Sequence, residues 1–222
     1  SDGKLYVLVG NNPTVGMYTL DLQRHNALSG QLEKKWNRYT GTDSSGPIVY
    51  VLKAALGRVY LGGVFSSFLG QAHNGIAAFD VSTGQFLTDW TGGTNGTVND
   101  ILVTESSVIV GGSFTEANGI KHPAVAAFSL SDGSVLGWDP QLGGTYPNVT
   151  SIARNGNTIY LGGYFAKAGT SSVNGFAAVN FQNAALIPMD TGKFGYVTQV
   201  AFNGKTIYLA GHSGLIQGQQ RD

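Results

Sequence analysis

The phrase VYLGGVF at 59–65 returns as VIVGGSF at 108–114, as IYLGGYF at 159–165 and, shortened, as IYLAG at 207–211. Gly62, Gly111 and Gly162 are 49 and 51 residues apart, and Ala210 follows 48 later. Self-similarity at a period of roughly 20–50 residues marks chains that stack one small unit, none of which can bury its apolar face alone. The chain is therefore read unit by unit.

Downstream of each phrase comes a small-residue strand: GIAAFDV at 75–81, AVAAFSL at 124–130 and GFAAVNF at 175–181. A tight turn follows, Ser-Thr-Gly at 82–84 or Ser-Asp-Gly at 131–133, then a strand ending at Trp90, Trp138 or Met189. An apolar strand opens the next unit at Val98, Val149 or Val197, with Ile48 as its upstream counterpart. Residues 4–36 fit a degenerate copy without its first strand, since KLYVLV matches RVYLGG and YTLDL matches AAFDV.

Four-stranded units of this length predict a β-propeller, in which each unit is a twisted blade covered on both faces by its neighbours. Such blades need apolar residues at odd and even positions alike, and IVYVL, VYLGG and IAAF run continuously apolar. The expectation is an all-β chain of about 50-residue blades forming a segment of a larger ring. It has blades at about 48–90, 98–138 and 149–189, a partial blade at 1–36 and another at 197–211. Closure of about five units through a blade shared by the two ends is the other arrangement.

Composition suits this reading and removes others. Glycine, at 33 of 222 residues, suits many short strands joined by tight turns, and 42% hydrophobic residues suffice for a sizeable core. Charged residues are only 12% and thirteen basic side chains cancel thirteen acidic ones, so no basic patch invites nucleic acid. The absence of cysteine excludes disulfides, thiolate zinc sites and thiol catalysis. No apolar run of about 18 residues predicts membrane insertion. The opening Ser-Asp-Gly, with neither an initiator methionine nor a leader, reads as a processed or trimmed piece.

The composite pattern is GGxF, about nine residues, AAFD, a Thr-Gly or Asp-Gly turn, a Trp and a Val. It resembles the delta-sixty type propeller repeat of large bacterial surface and secreted proteins, and is similar to the propeller repeats of fungal cortical markers. The resemblance covers essentially the whole chain, most clearly 48–211, and implies a propeller on a surface or secreted protein. A-x-D-x-x-T-G at Ala78, Asp80, Thr83 and Gly84 is similar to the tryptophan-docking motif of pyrroloquinoline quinone dehydrogenases. Here the Trp comes two residues later and Asp80 becomes Ser129 and Asn180. In that family the motif docks blades, so no cofactor is expected. Sialidase propellers carry Ser-x-Asp-x-Gly-x-x-Trp, whereas Ser131-Asp132-Gly133 has Asp and Gly adjacent.

Loop length ranks the two faces of the ring. Links from the first strand to the second (104–107, 154–157, 203–205) and from the third to the fourth are minimal turns, with Asn-Gly and Asp-Gly supplying positive φ. Links from the second to the third (66–74, 115–123, 166–174) and between blades (91–97, 139–148, 190–196) are longer, and binding residues concentrate on loops held by a rigid scaffold. Candidate binding residues on that face are Phe68, His73, Asn74, Glu116, His122, Asp139 and Tyr146, with Asp190 and Tyr196 beside them. His73 and His122 occupy equivalent places, to which Val173 also belongs. They form a ring of imidazoles around a ligand, or mark a position that takes a polar ring for packing; no histidine–carboxylate spacing predicts a metal. Glu116, Asp139 and Asp190 are the acids available for acid–base work. Asn95-Gly-Thr and Asn148-Val-Thr are glycosylation sequons.

The function expected is a non-enzymatic extracellular or surface module that binds a protein or glycan partner through the long-loop face. A self-partner or the rest of a larger chain would complete the ring. The alternative is a propeller enzyme, quinone-dependent or a glycan hydrolase or lyase. The innermost strands IVYVL, VNDILV, VTSIA and VTQVA offer mostly apolar groups, with Asp100 their only acid.

Overall fold

Val59 to Gly63 is buried at every position, as are Ser107–Gly112 and Ile159–Gly163, so the repeated phrase is covered on both sides. Side chains alternate across a strand. In the computed structural model, which describes residues 4–14, 17–41, 47–68, 71–189 and 195–212, this alternation sorts the phrase between two interfaces. Val59 and Leu61 pack backward with Leu22 and Trp36, while Tyr60 packs forward with Trp90, Val98 and Ile101. The pattern repeats: Val108 and Val110 face back and Ile109 forward, Ile159 and Leu161 face back and Tyr160 forward.

Blade 1 is an antiparallel sheet of Ile48–Ala55, Arg58–Val64 and Ile76–Asp80. Blade 2 holds Thr97–Val103, Ser107–Ser113 and Val125–Ser129. Blade 3 holds Asn148–Asn155, Thr158–Tyr164, Phe176–Asn180 and a short fourth strand, Leu186–Ile187. The outermost strand is thus slighter than the sequence suggests. In blades 1 and 2 it shrinks to the bridges Phe79–Phe86 and Phe128–Val135, because the chain bends away to carry Trp90 and Trp138 into the next blade. A sheet of Lys4–Thr14, Met17–Asn26 and Leu32–Gly41 packs behind blade 1, its last strand running past Trp36. The pair Tyr196–Phe202 and Ile207–His212 follows blade 3. Among the described residues this pair and the N-terminal sheet share no hydrogen-bonded sheet.

Each glycine of the double-glycine phrase answers a different neighbour. A Cβ on Gly62, Gly111 or Gly162 would lie 2.6, 2.4 or 2.7 Å from a valine methyl of the following unit's first strand (Val98, Val149 or Val200). A Cβ on Gly63, Gly112 or Gly163 would lie 1.9, 1.9 or 2.0 Å from the carbonyl oxygen of Ile48, Thr97 or Asn148 in its own blade. That second approach is imposed by a β-bulge, since the register slips between Val49 and Val51, at Gly111/Gly112, and between Val149 and Ser151. The last pair keeps the bulge and Gly211 but carries Ala210 at the first position, where Ala210 is exposed.

The bulge also supplies a clasp between blades. Asn99 Nδ2 donates to Val149 O at 3.0 Å, and Asp100 Oδ2 accepts from Ile152 N at 2.8 Å. One blade on, Thr150 Oγ1 donates to Val197 O at 2.8 Å and Ser151 Oγ accepts from Val200 N at 3.0 Å. Two successive polar side chains therefore hold a carbonyl and an amide of the next inner strand. Burial raises the pKa of Asp100 despite these bonds and the nearby Lys53 ammonium. Blade 1 has Tyr50 and Val51 at these positions and relies on apolar contact.

The outer rim is joined by tryptophan. Trp90 Nε1 donates to Ser129 O and Trp138 Nε1 to Asn180 O, each at 3.1 Å and each in the following blade. Trp36 sits against Gly84, where an added Cβ would lie 1.9 Å from its Cδ1. Asp80 shapes that turn by accepting from the backbone N–H groups of Ser82 and Thr83 and from both hydroxyls, which lowers its pKa to about 2.

Candidate functional site

The two faces differ as their link lengths require. On the short-turn face, Thr104 Oγ1 accepts from Ser106 N and Ser107 N, and Leu56 and Gly57 take φ of 52° and 75° in the turn of blade 1. Arg154 lies 3.8 Å from the Phe181 ring centroid and pairs with Glu105 of the preceding blade, so its charge is already engaged.

The long links are ordered. Each second-to-third link contains a two-residue hairpin: Ser67–Phe68 with Gln71–Ala72, Glu116–Ala117 with Ile120–Lys121, and Lys167–Ala168 with Ser171–Ser172. The interblade link docks against it, through a bridge between Thr94 and Ala117 and through Leu142–Gly143 paired with Lys167–Ala168. Asn95 fixes the blade 2 hairpin: Oδ1 accepts from Thr115 N and Glu116 N, and Nδ2 donates to Thr115 Oγ1 at 2.8 Å. This sequon asparagine is thus a loop clamp. Asn148, the other, lies within a strand and accepts from Asn99 Nδ2 at 2.7 Å.

Three of the sequence candidates meet in one cleft. His73 and Asn74 from blade 1, and Glu116 with Asn118 from blade 2, line a recess of about 510 Å³ with Thr88, Thr91, Thr94 and Asn95 between them. Its lining is polar, with glycines 92, 93 and 119 leaving backbone groups accessible. The His73 ring packs edge-on against Phe86 with centroids 4.6 Å apart, and burial lowers its pKa, so the imidazole is neutral at pH 7.

Other candidates fall elsewhere. Phe68, a candidate binding residue, is only 1% exposed; it packs edge-on to Phe65 and Phe79 and pins the loop. His122 is likewise buried, with Nδ1 unpartnered, and Val173 at the equivalent place packs into the blade 2–3 core. No ring of imidazoles forms, because His122 folds inward and Val173 is apolar, and of the three only His73 lines this recess. Asp139 accepts from Gln141 N within its own link and does not line the recess with Glu116. Asp190 lies outside the described residues. Among the described residues no three His, Asp or Glu side chains are grouped so as to hold a metal ion.

A second recess was not anticipated. Tyr146, another candidate, is 87% exposed and lines a cleft of about 360 Å³ with Thr145, Tyr164, Phe165 and Asn174. Tyr164 stacks on the half-buried Tyr196 at 4.4 Å, and Tyr196 on His212 at 5.6 Å. Desolvation and the Tyr196 hydroxyl raise the pKa of the Tyr164 phenol. The signal in the sequence was the residue after each double glycine, which is Val64, Ser113 or Tyr164.

No family model matches the chain, and no curated protein sequence matches it. Among solved structures it is similar to the WD40 β-propeller domain of Doa1, with a TM-score of 0.56 at 14% identity, over 93% of this chain and 60% of that one. Fold and comparison together define an all-β propeller repeat array. The chain spans 60% of the length of the propeller domain it matches.

Proposed function

We propose that the chain is an interaction module of a secreted or surface protein, of the delta-sixty repeat type, that engages a protein or glycan partner through its long-loop face. The observation that carries this reading is the recess in which His73, Asn74 and Glu116 converge across the boundary of blades 1 and 2. Its polar lining on loops hydrogen-bonded to the interblade link between them suits recognition, since pre-ordered loops lose little entropy on binding. The low charge and the turns rich in Gly, Ser, Thr and Asn support an extracellular setting. The remainder of the ring is supplied by further blades of the parent protein or by a second copy.

Site-specific photocrosslinking tests the choice of face. A photoreactive residue at Asn74 or Glu116 is expected to crosslink a partner on the source cells, whereas the same group at Glu105 or Asn203, on the short-turn face, yields none. Crosslinks from the short-turn positions alone would overturn the assignment.

A further inference from the structure

We infer that the cleft beneath Tyr146 is a binding site for a neutral sugar residue of a glycan. This rests on the reading of the long-loop face as the binding face. Three observations converge. The link at 139–148 is three residues longer than the one at 91–97, and aligning the Thr94 and Leu142 contacts places the surplus at Thr145-Tyr146-Pro147. The link at 190–196 again has seven residues, so joining these blades does not itself require the surplus. The tip of the surplus holds a tyrosine that is 87% exposed. The neighbouring positions are also aromatic only here: Tyr164 stands where blades 1 and 2 have Val64 and Ser113, and Tyr196 where they have Ile48 and Thr97.

The chemistry of the cleft selects the ligand class. Among the described residues its lining, which includes Thr145, Tyr146, Tyr164, Phe165 and Asn174, contains no charged side chain, which favours a neutral ligand. Among the described residues, the Asn174 amide and the Thr145 hydroxyl make no hydrogen bond to protein, unlike the fully engaged Asn95. A pyranose presents a C–H face that lies on a phenol ring and a rim of hydroxyls that bonds with amides, hydroxyls and free backbone groups. The stack of Tyr164 on Tyr196 holds one wall rigid, so little side-chain entropy is lost there on binding. A volume of about 360 Å³ lies at the small end of ligand pockets, which suits one sugar unit of a longer chain.

Calorimetric titration of the 222-residue chain with neutral hexasaccharides (cellohexaose, xylohexaose, mannohexaose and N-acetylchitohexaose) tests this, with saturation-transfer NMR to locate the bound face. At least one probe is expected to bind, Tyr146→Ala to weaken it tenfold or more, and Tyr208→Ala, an exposed tyrosine outside the cleft, to leave it unchanged. Since Tyr146 is exposed, its loss does not threaten folding. Binding unaffected by Tyr146→Ala overturns the site. No binding by any probe, while Asn74 and Glu116 still crosslink a partner, overturns the sugar site and leaves the proposed function standing; failure of both removes both.

Discussion

Gly111 and Gly112 are adjacent in sequence yet constrained by different objects, one a valine side chain and the other a backbone carbonyl. Gly111→Ala meets Val149, a β-branched residue with little rotamer freedom, and is expected to cost about 1–3 kcal/mol by overpacking. Gly112→Ala meets Thr97 O at 1.9 Å, which shifts only if the bulge is lost, and is expected to cost more or abolish folding. Gly137→Ala, where nothing lies within 4 Å, is the control and should stay within about 0.5 kcal/mol. Urea unfolding of the three variants checks the order. Residue-scale electrostatics gives a second test. The Asp80 pKa is lowered from 3.8 to about 2, so its folded carboxylate stabilises the protein above pH 3.8, and this contribution disappears as pH falls toward 2. Asn180 builds the same turn without a titratable group, accepting from Gln182 N and Asn183 N. Asp80→Asn is therefore expected to keep the fold at neutral pH and to flatten the loss of Tm between pH 4 and pH 2.

The elements are held by contacts that recur about one repeat apart, such as Asn99 with Asn148 and Ser151 with Val200. Each tryptophan joins an outer strand to the next blade, but not equally. Trp90 Nε1 reaches Ser129 O, whereas the buried Trp36 Nε1 has no acceptor. Trp90→Phe should therefore destabilise by about 1 kcal/mol more than Trp36→Phe, the worth of one hydrogen bond, measured by chemical denaturation. The blades, their double glycines and the division into a short-turn face and a long-link face were legible in the sequence because the period of about 50 residues fixes the frame. Side-chain direction within loops was not. Spacing places Phe68, His73 and His122 on the long-loop face, but only packing decides that Phe68 and His122 turn inward while His73 reaches a recess. Asn99 and Asp100 read as ordinary inner-strand residues until the bulge turns them toward the next blade.

At the scale of the molecule, the described residues advance from the N-terminal sheet through three blades to the pair Tyr196–Phe202 and Ile207–His212, and among them the two ends share no hydrogen-bonded sheet. The phrase changes character at that pair. Ile159, Tyr160 and Leu161 are buried between blades, whereas their counterparts Ile207 and Leu209 are half-buried and Tyr208 is 54% exposed. Ala210, which would crowd a following valine as Gly162 does not, stands open. Among the described residues the blades form an open propeller arc with ordered loop clefts on one face. Hydrogen–deuterium exchange on the monomeric 222-residue chain tests it most directly, because protection reports local opening. Strong, similar protection is expected at Val59–Gly63, Val108–Gly112 and Ile159–Gly163, and markedly faster exchange at Ile207–Gly211. Equal protection of all four phrases in the monomer would mean that the last one is covered too, and would contradict the open arc.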